Sequence, residues 1–495
     1  MICLLRWPHT ITRSPYNGRV ATGFQFGERL EFEAGRAAEI LRLVPALPGV
    51  FALRGGDPKA EPYLTRTADM RRRMTRLLNP PEEQSKRLNL RDRVRKIEYS
   101  VTGSEFESLL VLYDAASSCF GAVEARRRLR LHTPFFLRLT MGSAHPRVYS
   151  TNRLSKRGLD QTYGPFPSRA AAERYCDAVL DLFKLRRCYE DLEVSPTHPG
   201  CAYGEMKKCM APCNLGCTAD EYAAEAKAVE AFFQTHGDSM LAGISVERDR
   251  ASEEMEFEKA AALHEQYQKV KAAAGLADEL VRPVPRLAAV IAQEAAKVGE
   301  GREADSSTLL RNDKQNNRQE AAVFMLRGGC LVGPERLSTL GVRAVKEQTS
   351  VGSSLFAQPL MLQAVPLEEG PAGVMESPEV RAENVLAALE RRVLESTDLA
   401  TLSDHLSLLR RWYYRPEKQR AGEVFLPNSD GGWPVRRILR GAARMVIGEP
   451  RVMAETQRDA AGAAEVRILH EGREGVERLV PVVRRRKKMN TENVE

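Results

Sequence analysis

Apolar positions along this 495-residue chain fall into short runs divided by glycine, proline and charge, and two periods take turns. Residues 28–43 carry helical spacing and lead into Pro45-Ala-Leu-Pro-Gly-Val-Phe51. Val50, Phe51 and Leu53 before Gly55-Gly56 predict a strand and a turn, with a second strand ending at Tyr63-Leu64. A basic helix then runs from Asp69, a plausible N-cap, to Leu78. Residues 134–140 predict a strand, and residues 146–153 its hairpin partner. Over residues 168–183, Ala172, Tyr175, Val179, Leu182 and Phe183 recur at helical spacing. Residues 221–233 form an Ala-rich helix, and residues 239–271 two helices joined near Glu253 to Glu256. The stretch 284–320, rich in Ala, Glu, Gln and Asn, reads as a linker with some helix. Residues 321–333 predict a hairpin turning at Gly-Gly, with helices following at 377–396 and 402–414. Arg411-Trp412-Tyr413-Tyr414 could stack on bases or fill a core, and the core is favoured.

These elements predict an α+β fold. The expected divisions are an N-terminal extension at 1–40, a small mixed α/β domain at 41–132 and a cysteine region at 133–235. A helical hairpin at 236–275, a linker at 276–320 and an irregular α+β region at 321–495 complete them. The composition, 43% hydrophobic and 28% charged, is that of a water-soluble globular chain. Its apolar runs fall short of the ~20 residues a membrane-spanning helix needs. Arginines and prolines break the first twenty residues, so no signal peptide is expected.

A net charge of +8 permits a polyanionic partner. Arg66, Arg71, Arg72, Arg73 and Arg76 cluster, as do Arg126, Arg127, Arg128 and Arg130. Each cluster could be a solvated helix face, but two of them in a basic chain favour phosphate contact. Of these, Arg66, Arg71, Arg72 and Arg76 are the DNA-binding candidates.

Four of the nine cysteines, Cys188, Cys201, Cys209 and Cys213, lie within 26 residues at gaps of thirteen, eight and four. That density suits a reducing cytosol and a metal site better than a disulfide scaffold. Free cysteines are often small buried hydrophobes, but glycine, proline and lysine around these are poor core material. Four thiolates suit tetrahedral Zn²⁺ or an iron–sulfur cluster, and spacing does not separate the two. Cys217 is a spare thiol and His198 a weaker competitor.

The order Tyr163-Gly-Pro-Phe-Pro-Ser168, Leu185-Arg-Arg-Cys188, Cys201-Ala-Tyr203 and Cys209-Met-Ala-Pro-Cys213 resembles the UvrC family, the incising subunit of the bacterial UvrABC excision-repair nuclease. The resemblance covers roughly residues 47–271, with weaker traces to Gly333. It implies a 4Fe–4S cluster at the four cysteines, with zinc as the alternative. Phe257, Glu258, Ala260, Ala261 and Leu263 resemble the UVR motif, a helical hairpin that meets UvrB, although His264-Glu265 stands where the family has Arg-Asp. A hairpin packed on its own chain is the plainer reading of those helices.

Upstream, the resemblance implies a GIY-YIG nuclease domain in altered form. Gly49-Val50-Phe51 replaces Gly-Ile/Val-Tyr, and Tyr63-Leu64-Thr65-Arg66 keeps only its tyrosine. Arg73 falls at the catalytic arginine, while Leu112 occupies the place of the metal-binding glutamate. Leucine offers no oxygen to a hard cation. Glu105, Glu107 and Asp114 stand off by helical position, so Mg²⁺ is expected only if the nuclease site is active. The family's RNase H-like and helix-hairpin-helix domains have no counterpart after Gly448, where His470 and the basic run Arg484-Arg-Arg-Lys-Lys488 lie. The implied protein is a cytoplasmic UvrC-like repair component that binds UvrB and double-stranded DNA, with incision impaired or lost. The rivals are an active single-incision nuclease using Tyr63, Arg73 and a displaced carboxylate, and a metal-cluster interaction protein with no DNA role.

Overall fold

The computed structural model describes residues 24–80, 88–296, 320–342, 376–393, 398–416, 419–428, 430–447, 466–471 and 477–481. The chain forms two units, Met1–Ile447 and Gly448–Glu495. In the larger unit, helices pack against three antiparallel four-stranded sheets, the expected α+β class.

The first sheet has the order β1-β4-β2-β3, built from β1 (Glu28–Glu31), β2 (Gly49–Arg54), β3 (Tyr63–Thr67) and β4 (Lys96–Val101). Phe51 and Leu53 of β2 enter a core with α1 (Ala37–Leu43) and α2 (Met70–Leu78). Asp69 caps α2 as expected, its side chain accepting from the Arg72 amide at 2.8 Å. Two expectations change here. Residues 28–43 are not one helix: Glu28 to Glu31 pair with β4 as an edge strand, and helix begins at Ala37. Strand β3 begins, rather than ends, at Tyr63. The first sheet therefore draws in residues ahead of 41.

The helix α3 (Glu105–Phe120), capped by Ser104, packs against β2 and β3. A short α4 (Ala122–Leu129) follows it. Phe106, Leu109, Leu110 and Tyr113 of α3 belong to a core shared with much later segments.

The second sheet runs β6-β5-β7-β8, from β5 (Phe135–Leu139), β6 (Val148–Thr151), β7 (Thr162–Phe166) and β8 (Arg282–Pro283). Against it lies α5 (Arg169–Leu182), whose Ala172, Tyr175 and Val179 are buried as their spacing predicts. The one-turn α6 (Ala202–Glu205) lies in the cysteine region, and α7 (Ala219–Thr235) starts with a capping box of Thr218 and Glu221. The antiparallel hairpin α8 (Asp238–Glu253) and α9 (Phe257–Ala274) breaks at residues 254–256, where it was expected to.

The third sheet corrects the expected linker and the expected irregular C-terminal region. Its order is β11-β10-β9-β12, with β9 (Ala288–Glu294), β10 (Glu320–Arg327), β11 (Cys330–Ser338) and β12 (Glu423–Phe425). Strand β9 lies inside the supposed linker. Ala289 and Ile291 face one core with Phe324, while Val290 and Ala292 face another with Leu386 and Ile438. A strand buried on both faces shows no alternation, and its alanines and glutamine mimic a helix. Gly328 (φ 56°) and Gly329 (φ 83°) make the expected tight turn between β10 and β11. The helices α10 (Pro378–Glu390) and α12 (Val435–Ile447) flank one face, and α11 (Leu399–Tyr413) the other.

Trp412 is a core residue, 4.7 Å ring to ring from Phe106, which also meets Phe324 at 5.3 Å. In the second unit, β13 (Val466–Glu471) pairs with β14 (Glu477–Pro481), and His470 lies in β13. The basic run at 484–488 lies outside the described residues.

Candidate functional site

Three groups of residues carry candidate chemistry. The first is the cysteine region between α5 and α7. Tyr222 of α7 accepts from the Arg186 amide at 3.0 Å and donates to the Pro146 carbonyl at 2.8 Å, tying the loop start to the second sheet. The Met210 amide donates to the Lys184 carbonyl at 3.0 Å, folding the loop back on itself. Cys209 and Cys213 are buried, and Cys188 and Cys201 half-buried. Burial pushes the Cys209 thiol up to about 11; Cys201, Cys188 and Cys213 add to the rise, and the Ala211 amide opposes it.

The Ala211 amide donates to Cys209 Sγ at 3.3 Å, and the Arg186 guanidinium lies 3.8 Å from Cys188 Sγ. Donors of this kind stabilise thiolates. No group of three or more His, Cys, Asp or Glu side chains among the described residues closes to metal-binding geometry. The four thiols, with these amide and guanidinium donors, have the chemistry of a metal site and not its geometry. His198 Nδ1 accepts from the Gly200 amide at 3.0 Å, and Cys217 packs beside the core of the second sheet.

The second group lies on the first sheet and the helices beside it. Tyr63 on β3 and Arg73 on α2 come together, with the guanidinium donating to the Tyr63 hydroxyl at 3.2 Å. Phe51 is fully buried, its ring 6.3 Å from that of Tyr63. Leu112 lines a cleft of about 570 Å³ together with Tyr63, Leu64, Arg66 and Leu109. No carboxylate among the described residues lines that cleft.

The nearby acids are engaged elsewhere. Glu105 pairs with Arg66 at 2.9 Å and with Arg415, and the Arg415 hydrogen bond, ahead of Arg66, holds its carboxyl at about 2. Glu107 is buried and accepts from the Gly103 amide at 2.7 Å; burial lifts its carboxyl to about 7. These residues do not fit a Mg²⁺ site.

The basic clusters separate. Arg72 and Arg76 are exposed, and no carboxylate among the described residues pairs with them. Arg71 instead donates to the Val44 carbonyl at 2.7 Å, and Arg66 is held by Glu105. In the other cluster, Arg126 forks onto buried Asp404 at 2.6 and 3.0 Å, while Arg127 and Arg128 pair with Glu124. Arg128 also pairs with Glu61 and lies 3.9 Å over the Phe120 ring. The carboxylates that decide this, Glu124 apart, are distant in sequence, so spacing gave no sign of them.

The third group is the tip of the α8–α9 hairpin. Phe257 is 69% exposed and Met255 75%, and Val246, midway along α8, is 70% exposed. Glu258 and Ala261 are exposed, whereas Ala260 and Leu263 are half-buried, Leu263 against the core of the second sheet.

Residues 135–232 match the family model for the UvrC/Cho excinuclease middle domain. This stretch is a UvrC-family middle domain. The UvrC-like region extends well beyond it. Ruminiclostridium cellulolyticum UvrABC system protein C is 26% identical over 240 residues, 47% of this chain. The Haemophilus ducreyi protein is 27% identical over 237 residues and that of Escherichia fergusonii 25% over 236, each 48% of this chain. The chain spans 38% of the length of these UvrC relatives. No solved structure matches it.

Proposed function

We propose that the chain is a UvrC-like component of bacterial nucleotide excision repair that binds UvrB and duplex DNA without making the ordinary incision. The single observation carrying the loss of incision is the Leu112 cleft. Phosphodiester hydrolysis at a GIY-YIG site needs a carboxylate-held metal beside the tyrosine and arginine, and none of the residues lining that cleft carries a carboxylate. The UvrC-family middle domain supports the excision-repair setting. No helix among the described residues is long and apolar enough to cross a membrane, which agrees with a cytoplasmic repair protein.

The exposed Phe257, beside Glu258 and Ala261 on α9, supports docking on a UvrB-like partner through the hairpin. The four cysteines would hold a 4Fe–4S cluster, with Zn²⁺ as the alternative. A bound cluster supplies a one-electron centre and a covalent staple across the loop. Around it, Arg186 and the Ala211 amide would stabilise thiolate charge, and Tyr222 would hold the loop in register. Iron, sulfide and zinc assays on anaerobically purified protein separate the two metals.

The Tyr63–Arg73 hydrogen bond favours a second reading, an active single-incision endonuclease. Nicking of a lesion-bearing duplex, with UvrA, UvrB, ATP and Mg²⁺, tests both. No cutting, with UvrB captured by the wild type and released by Phe257→Ala, supports the binding role. Cutting that vanishes in Arg73→Ala overturns it in favour of the nuclease.

A further inference from the structure

The cleft beside Tyr63 is more than a vacated active site. It forms where β3, α3 and α4 meet α11, a helix from almost 300 residues further along the chain. Leu64, Leu109, Leu112, Ala116 and Leu129 give it an apolar lining, and three guanidiniums, Arg66, Arg128 and Arg411, stand at it. Arg66 and Arg415 share the single carboxylate of Glu105. Arg411 has no carboxylate among the described residues, and donates to the Leu129 carbonyl at 3.0 Å and the Arg130 carbonyl at 2.7 Å. Burial lowers its guanidinium, and Arg410, Arg66 and Arg415 lower it further. Arg128 is already paired with Glu61 and Glu124, which leaves Arg66, Arg411 and Arg415 facing the one carboxylate of Glu105. Cations in excess at an apolar surface cost stability unless an anion joins them. Guanidiniums bind phosphate oxygens in forked pairs and stack on flat rings. At about 570 Å³ the cleft also lies within the size range of small-ligand sites.

We infer that this cleft binds one nucleotide unit, its planar base against Leu64, Leu112 and Leu129 and its phosphate toward Arg66 and Arg411. The nucleotide could be free or an unstacked member of a DNA strand. The strand-borne source rests on the DNA-binding reading proposed above.

The test uses the full chain and fluorescently labelled duplexes, one fully paired and one with a single unpaired nucleotide, with adenosine monophosphate as competitor. The unpaired nucleotide is expected to tighten binding by about tenfold, the scale of one base stacked in a protein site. Adenosine monophosphate should remove that tenfold and leave paired-duplex binding unchanged. Leu112→Trp, which fills the cleft, and Arg66→Gln, which removes a cation, should each abolish the preference, and circular dichroism melts confirm folding. Equal binding of both duplexes by wild type and variants, with no binding of the monophosphate, overturns the pocket and leaves the DNA-binding reading standing. Binding of the monophosphate that Leu112→Trp abolishes, with no affinity for either duplex, supports the pocket for a free nucleotide and overturns the DNA reading.

Discussion

The two arginine clusters look alike along the chain and differ in space. On α2, Arg72 and Arg76 point to solvent with no carboxylate partner among the described residues. On α4, Arg126 reaches inward to Asp404, only 1% exposed, which also accepts the Tyr113 hydroxyl at 3.0 Å. Its neighbours Arg127 and Arg128 are held by Glu124 and Glu61. One cluster is available to a polyanion, and the other joins α4 to α11. What decides between them is where the acids fall, and Asp404 lies 278 residues from its arginine. Local charge density is therefore a weak sign of a nucleic-acid surface unless the compensating carboxylates are also placed.

The largest break in that comparison is Arg126→Ala. It strands the Asp404 carboxylate in the interior, and the variant should lose about 3 kcal/mol, a value reduced because Arg126 itself is part-exposed. A denaturant melt measures it; an unchanged midpoint would make the α4 cluster equivalent to that on α2.

Acid should loosen the same junction through His405, the residue after Asp404. Burial lowers its imidazole to about 4, against opposing pulls from Asp404 and Asp398. Its Nδ1 accepts from the Leu331 amide at 3.1 Å, so the neutral ring is the one that fits. A base lowered on folding gives stability that is complete above its unfolded value near 6.5 and drains as pH falls toward 4, on the order of 3 kcal/mol in all. Glu107 works the opposite way: raised to about 7, it favours the fold below its unfolded value and loses that contribution as pH climbs to 7. His405→Asn should flatten the acid limb of a stability–pH profile, and Glu107→Gln the limb between about 4.5 and 7.

The smallest effect sharpens the contrast from the other side. Arg72→Ala and Arg76→Ala should leave the melt unchanged and each reduce the salt slope of duplex binding by about 1. Arg127→Ala should change neither quantity. A salt slope that responds to Arg127 and not to Arg72 would exchange the roles of the two faces.

Local structure was legible in the sequence wherever the deciding residues are close together. Asp69 caps α2, residues 168–183 form the amphipathic α5, Gly328-Gly329 turns a hairpin, and the α8–α9 break falls at 254–256. The family resemblance named Tyr63, Arg73 and Leu112; Tyr63 accepts from Arg73 and lines a cleft with Leu112. What failed was set by distant packing. Glu28 to Glu31 are a strand because β4 offers an edge to them. Ala288 to Glu294 are a strand because two cores cover both faces and erase the alternation. The cleft could not be anticipated, since α11 supplies Arg411 to it from the far end of the unit.

The helix α3 has a further consequence for modularity. It packs on the first sheet, and it also carries Phe106, Leu109, Leu110 and Tyr113 into a core completed by Phe324, Leu406 and Trp412. A cassette cut after residue 132 would carry that aromatic and aliphatic seam bare into water, and the portion left behind would keep the matching hole. The first sheet and its helices are not a transplantable part: they can be inherited, duplicated or grafted only together with the distant helix that completes them.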